Sequence, residues 1–139
     1  MVILIDTNVL LDFLLHRDAN YLTAKRVVEY CMSNPGKGFV AFHSIPTLFY
    51  VLRKYAHVQK RRELLKDLCS VVTVAGAEHE AVLEAIDRAD FQDFEDCLQM
   101  YCAKAIGADY IVTNNTKDYK NSDIPAITSQ EAQSLMIGA

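Results

Sequence analysis

The chain has 139 residues, 51% hydrophobic and 23% charged, a globular composition that excludes a disordered tail and leaves room for one core over residues 1–139. Its formal net charge of −4 argues against general attraction to nucleic acid or anionic membrane, while permitting a local basic face. No apolar run nears the ~18 residues that span a bilayer, and Met1-Val2-Ile3 lacks the basic start of a secretory signal; a cytoplasmic protein without a membrane partner is expected.

In chain order, short apolar runs alternate with helical patterns. Strands are expected at Val2–Ile5, Phe39–Phe42, Val71–Val74, Tyr110–Val112 and Ala126–Thr128. They are continuous runs rather than alternating ones, as in a parallel sheet covered on both faces. Between them, Ala24, Val27, Val28 and Cys31 make one helical stripe. Ile45, Leu48, Phe49, Leu52, Tyr55 and Ala56 make a second, with Ser44 as N-cap and Pro46 in the first turn. A short basic helix carries Leu64, Leu65 and Leu68, followed by Val82, Ala85, Ile86 and Ala89. Phe94, Cys97, Leu98, Tyr101, Cys102 and Ala105 form the cleanest stripe, closed by Gly107. Thr128 and Glu131 have the spacing of a capping box. The fold class is therefore α/β, a parallel β-sheet flanked by helices on both faces. Cys31, Cys69, Cys97 and Cys102 show no Cys-x-x-Cys spacing and read as reduced core residues.

The acids fall in an informative place. Ligands bind at the carboxyl edge of a parallel sheet, and Asp6 follows the first strand directly. The helix from Phe94 feeds the strand at Tyr110 and so runs antiparallel to it, which puts Asp93 and Asp96 on the same edge. Thr113, Asn114, Asn115 and Asp118 follow that strand and share the edge. Each acid also has a simpler explanation. Asp6 could cap the next helix, Asp93 and Asp96 stand at N-cap and N3 spacing, and Asp118 suits a turn. Capping does not require all three segments to meet. Converging carboxylates repel unless a cation sits between them, and oxygen donors without a His or Cys cluster favour Mg²⁺ or Mn²⁺.

Three motifs now carry a family resemblance. Ile5-Asp6-Thr7-Asn8-Val9-Leu10-Leu11-Asp12, Asp93-Phe94-Glu95-Asp96 and the segment Gly107 to Tyr119 resemble, in order and spacing, the acidic motifs of the PIN domain. That fold is a metal-dependent ribonuclease fold which includes VapC-type toxins. The resemblance implies a PIN-like α/β domain acting as a Mg²⁺- or Mn²⁺-dependent endoribonuclease. Asp6, Asp96 and Asp118 would be catalytic and metal-binding, and Asp93 and Asn115 supporting ligands. Hydrolysis would leave 5′-phosphate and 3′-hydroxyl ends, and a toxin role would bring an antitoxin partner and a homodimer. Two positions depart from the pattern: Thr47 stands where many members carry Glu, and Asn115 where many carry Asp. Both lower the site's charge, and they motivate the alternative of a catalytically weakened module that binds RNA or a protein.

Lys54, Lys60, Arg61 and Arg62 concentrate positive charge, with Lys66 close by and Tyr50 and Tyr55 among them. They read as a solvated helix face or as a wall that tracks RNA phosphates. A phosphoacceptor receiver domain is a further α/β candidate, but it needs an Asp ending the third strand, where Val74-Ala75-Gly76 stands.

Overall fold

The structure is a computed structural model describing residues 1–17 and 19–137; Asp18 and the last two residues of the expected 1–139 domain lie outside the described residues. Five strands of the described residues, β1 (Ile3–Ile5), β2 (Gly38–Ala41), β3 (Thr73–Ala75), β4 (Tyr110–Val112) and β5 (Ala126–Ile127), form one parallel sheet in the order β3-β2-β1-β4-β5. Among the described residues, seven helices connect or follow them: α1 (Thr7–Leu14), α2 (Tyr21–Ser33), α3 (Ser44–Val51), α4 (Val58–Cys69), α5 (His79–Asp87), α6 (Phe94–Ala105) and α7 (Ser129–Ile137).

Strand β1 explains why the sheet is covered on both sides. All three of its residues are fully buried, but Ile3 and Ile5 pack with α1, α2, α3 and α4, whereas Leu4 packs with α5 and α6. Alternate side chains of one strand thus seed two helical layers. Close approach matters at β2, where a Cβ on Gly38 would collide with Sγ of Cys31 on α2. Gly107, at φ +62°, ends the segment after α6 in the left-handed region. The capping box forms reciprocally: Thr128 N–H donates to Glu131 Oε1 and Glu131 N–H to Thr128 Oγ1, both at 3.1 Å. Among the described residues, no helix is long and apolar enough to cross a membrane.

Several boundaries differ from expectation. The third strand begins at Thr73 rather than Val71, because the amides of Val71 and Val72 still bond back to Leu68 O. The expected helix from Ser44 to Ala56 stops at Val51 and tightens into a 3₁₀ turn at Leu52–Lys54. There the Arg53 guanidinium donates to Tyr50 O at 2.9 Å, the carbonyl that a continuing α-helix would offer to Lys54. Ser44 is not a cap; its hydroxyl is buried among side chains described below. Ile86 is 60% exposed and Ala89 lies beyond α5, so neither extends that helix's core stripe. Cys69 is exposed, whereas Cys31, Cys97 and Cys102 are buried free thiols. Burial raises those three, Cys31 to about 12, and keeps them protonated.

Candidate active site

The strand order reverses direction between β1 and β4. The chain steps outward from β1 to β2 and β3, then returns to lay β4 on the other side of β1. In an open parallel sheet the carboxyl ends on either side of such a reversal diverge into a crevice. Asp6 leaves β1 at this point and Thr113 leaves β4. The Asp6 N–H donates to Val112 O at 2.9 Å, continuing the strand pairing. The Asp6 side chain is fixed at both oxygens: Oδ1 accepts from Thr7 N–H and Oδ2 from the Thr113 hydroxyl, each at 2.8 Å. The residue therefore caps α1 and faces the crevice at once, since each carboxylate oxygen keeps a second lone pair.

Asp96 arrives from α6. Asp93 is the N-cap of that helix, its Oδ1 accepting from Asp96 N–H at 3.1 Å. This leaves the Asp96 side chain free of capping work. Its Oδ1 accepts instead from the Tyr119 hydroxyl at 3.2 Å. Tyr119 belongs to a 3₁₀ turn, Thr116–Tyr119, which also presents Asp118 at the rim. Asn115 sits at the start of this turn, its N–H donating to Thr113 Oγ1 at 3.1 Å. The three acidic segments expected to meet do share one edge of the sheet.

The electrostatics follow from this packing. Burial pushes the Asp6 carboxyl up against the hydrogen bonds from Thr113 and Thr7 and the nearby Tyr119 hydroxyl, and Asp118 adds to the push. Asp96 is pushed up to about 7, by burial first and then by Asp6, Asp93 and Asp118, with Tyr119 opposing. None of the leading influences on either carboxyl is a cation. Tyr119 is itself raised by burial and by the two acids, so it remains a proton donor.

The donor set fits a hard divalent cation, with one correction to expectation. Among the described residues no group of three or more His, Cys, Asp or Glu is placed to hold a metal ion. Instead of a closed three-carboxylate cage, the site offers the Asp6–Asp96 pair, with exposed Asp118 and the cap Asp93 at its margin. Mg²⁺ is suited to such a site, because it is commonly bound by one or two carboxylates plus waters and substrate phosphates.

Sequence reasoning missed what lies beneath and beside the pair. Under Asp6, the Thr7 hydroxyl donates to Ser44 Oγ at 2.8 Å, and Gln99 Nε2 donates to the same oxygen at 2.7 Å. Gln99 is fully buried and ties α6 to α1 and α3. Its one signal is a polar residue at i+3 from Asp96, on the helix face beside the apolar stripe. Asp12, also buried, accepts from Asn114 Nδ2 and pairs with Arg17 at 3.5 Å. Beside the acids, Arg88 donates to both oxygens of Asp90 at 2.9 Å, to Asp123 Oδ2 at 3.0 Å and to Asn121 O at 2.9 Å. Lys104 reaches the same Asp123 oxygen at 2.8 Å.

The basic segment is divided. Lys54, Lys60, Arg62 and Lys66 are exposed on the α3–α4 connection and α4. Arg61 is not available as expected: it donates to Phe49 O at 3.0 Å and stacks 4.2 Å from the Phe49 ring centre. Thr47 donates back to His43 O at 3.3 Å within its own helix, so this position brings no charge to the edge.

Comparison with known proteins agrees with this architecture. The protein named Ribonuclease VapC1 from Aquifex aeolicus is 27% identical over 135 residues, covering 93% of this chain and 91% of its own. Among solved structures, VapBC-1 from nontypeable Haemophilus influenzae aligns with a TM-score of 0.71 at 15% identity, covering 94% of this chain and 99% of the other. VapC20 of Mycobacterium tuberculosis, described as a sarcin-ricin loop cleaving toxin, aligns at 0.62 and 22% identity, over 78% and 86%. These two likenesses are of fold. The family model for the PIN domain matches residues 2–117, and with most of its length so matched, the chain belongs to the PIN-domain family.

Proposed function

We propose that this chain is a divalent-metal-dependent endoribonuclease, acting on RNA in the cytoplasm as the toxin of a toxin–antitoxin pair. One observation carries the reading. Asp6 and Asp96, from distant parts of the sequence, share the switch-point crevice; both carboxyls are raised, first by burial, Asp6 further raises Asp96, and no cation is among the leading influences on either. The likeness to a protein named as a ribonuclease supports it. The fold shared with toxin–antitoxin complexes supports an antitoxin protein as partner, and we place a homodimer with it.

Asp6 and Asp96 would hold Mg²⁺ or Mn²⁺, with Asp118, Asp93 and Asn115 as outer groups. A bound ion of this kind supplies an activated water and neutralises charge on the phosphodiester. The chain's own groups prepare for that. Thr113 and Tyr119 each donate to one of the carboxylates and fix its orientation. Helices α1 and α6 both begin at this edge, so their positive ends face an approaching phosphate. Lys54, Lys60 and Arg62 would meet the RNA backbone farther out.

The test is cleavage of a mixed single-stranded RNA pool with Mn²⁺ or Mg²⁺, alongside EDTA and Asp6→Asn. Ion-dependent cleavage that drops at least ~100-fold in Asp6→Asn is expected for loss of a metal ligand. A folded protein that binds RNA but cleaves none with either ion would instead establish the binding module suggested by Thr47 and Asn115.

A further inference from the structure

Next to the acids, two loops enclose a cavity of about 450 Å³. Asp90, Gln92 and Asp93 line it from the α5–α6 connection, and Lys117, Asp118 and Lys120 from the turn after β4. Its size falls within the range of small-ligand sites, and it shares Asp93 and Asp118 with the margin of the carboxylate pair.

The walls are built rather than incidental. Arg88 and Asp90 on one side are cross-linked to Asn121 and Asp123 on the other, and Asn121 Nδ2 donates back to Asp90 O at 2.7 Å. Phe91 packs edge-on against Tyr119, the residue that orients Asp96. The same bonds that shape the cavity thus set its distance from the acids.

The charges inside it are not equivalent. Asp90 is neutralised by Arg88, and Asp93 uses one oxygen on the α6 cap. Lys117 and Lys120 are exposed, and among the described residues neither forms an ion pair despite the carboxylates nearby. Two unpaired ammonium groups beside an acidic crevice suit an anionic ligand that must approach against the site's own charge. Gln92 adds an amide able to donate and accept, as base edges require.

We propose that this cavity is a nucleotide subsite: it receives the nucleotide adjoining the phosphate at Asp6 and Asp96, with Lys117 and Lys120 on its backbone phosphates and Gln92 on its base. The inference rests on the ribonuclease reading and names where that enzyme grips RNA. It adds a contact surface on the β4 side that is separate from the α3–α4 basic segment.

The experiment uses the full chain carrying Asp6→Asn, which removes one repelling carboxylate. Binding of a short fluorescein-labelled single-stranded RNA is followed by anisotropy in EDTA across a salt series. Adding K117Q and K120Q should weaken binding about fivefold and flatten the slope of log affinity against log salt by about 1.4, two single-strand phosphate contacts. A control with K25Q and R26Q on α2 removes the same charge and should stay within about twofold. Equal effects of the two pairs, or no RNA binding by the Asp6→Asn parent, would overturn the subsite. Cleavage by the wild-type protein with Mn²⁺ reports separately on the ribonuclease reading, so the subsite can fail while that reading stands. Melting temperatures of all variants confirm that folded proteins are compared.

Discussion

Asp90 and Asp96 stand on the same stretch of chain and in opposite electrostatic surroundings. Asp90 lies at a surface where the forked guanidinium of Arg88 meets both its oxygens, and its carboxyl is held below the ordinary range. Asp123 is likewise lowered, by Lys104 first and by Arg88. Asp96 is partly buried, faces Asp6 and Asp93, and is pushed up to about 7. One cluster is internally neutralised; the other is assembled from like charges. A fold gains nothing from like charges held together, so the second cluster is explained by something it binds. The neutralised cluster has the complementary task, joining the loops on which Asp93 and Asp118 ride.

Breaking the neutralised cluster should have the larger effect on stability. Arg88→Ala leaves Asp90 without its partner and Asp123 with Lys104 alone, and it removes four charge-assisted bonds. A loss of about 2 kcal/mol in urea is expected for bonds at a partly exposed site. Arg88→Lys keeps the charge without the fork and should recover less than half of it. A midpoint unchanged by Arg88→Ala would show that the loops are held by other contacts.

A smaller effect separates the clusters by pH. Asp96 binds its proton more tightly in the folded state, so its contribution is fully present below about pH 4 and is lost as pH rises through about 7. Discounted for solvent screening, the metal-free protein should lose about 1 kcal/mol between pH 5 and pH 8. Asp90 and Asp123 act with the opposite sign: their contribution is present at neutral pH and disappears as pH falls below 4. Urea midpoints in EDTA across this range should therefore fall on both flanks, and a steady rise from pH 5 to pH 8 would remove the like-charge pair from the account.

The same contrast marks how far the sequence could be read. All five strands were expected to within two residues at either end, because buried parallel strands are written as unbroken apolar runs. Asp6 and Asp96 were legible because strand and helix direction alone place them on one edge. Asp93 was legible as a cap because an N-cap acid three residues before a helical amide is a local signal. The Arg88 cluster was not legible, since its members lie some thirty residues apart in loops that no periodicity registers. Arg61 misled for a related reason: a charge run looks uniformly solvated until one guanidinium turns onto a neighbouring ring and carbonyl. Gln99 was hidden because it lies off the apolar stripe of α6, and a polar residue there is buried only because Ser44 and Thr7 come from other elements to meet it.

The central claim, that Asp6 and Asp96 form a site for a cation, is tested most directly by the stability of Asp96→Asn in two buffers. In EDTA the substitution relieves repulsion, and the variant should be more stable than wild type by about 1 kcal/mol. In saturating Mn²⁺ the order should reverse, because the wild-type protein gains binding energy that the variant largely lacks. A variant less stable than wild type in both buffers by the same amount would contradict the claim and reduce Asp96 to an acid favouring its helix N-terminus.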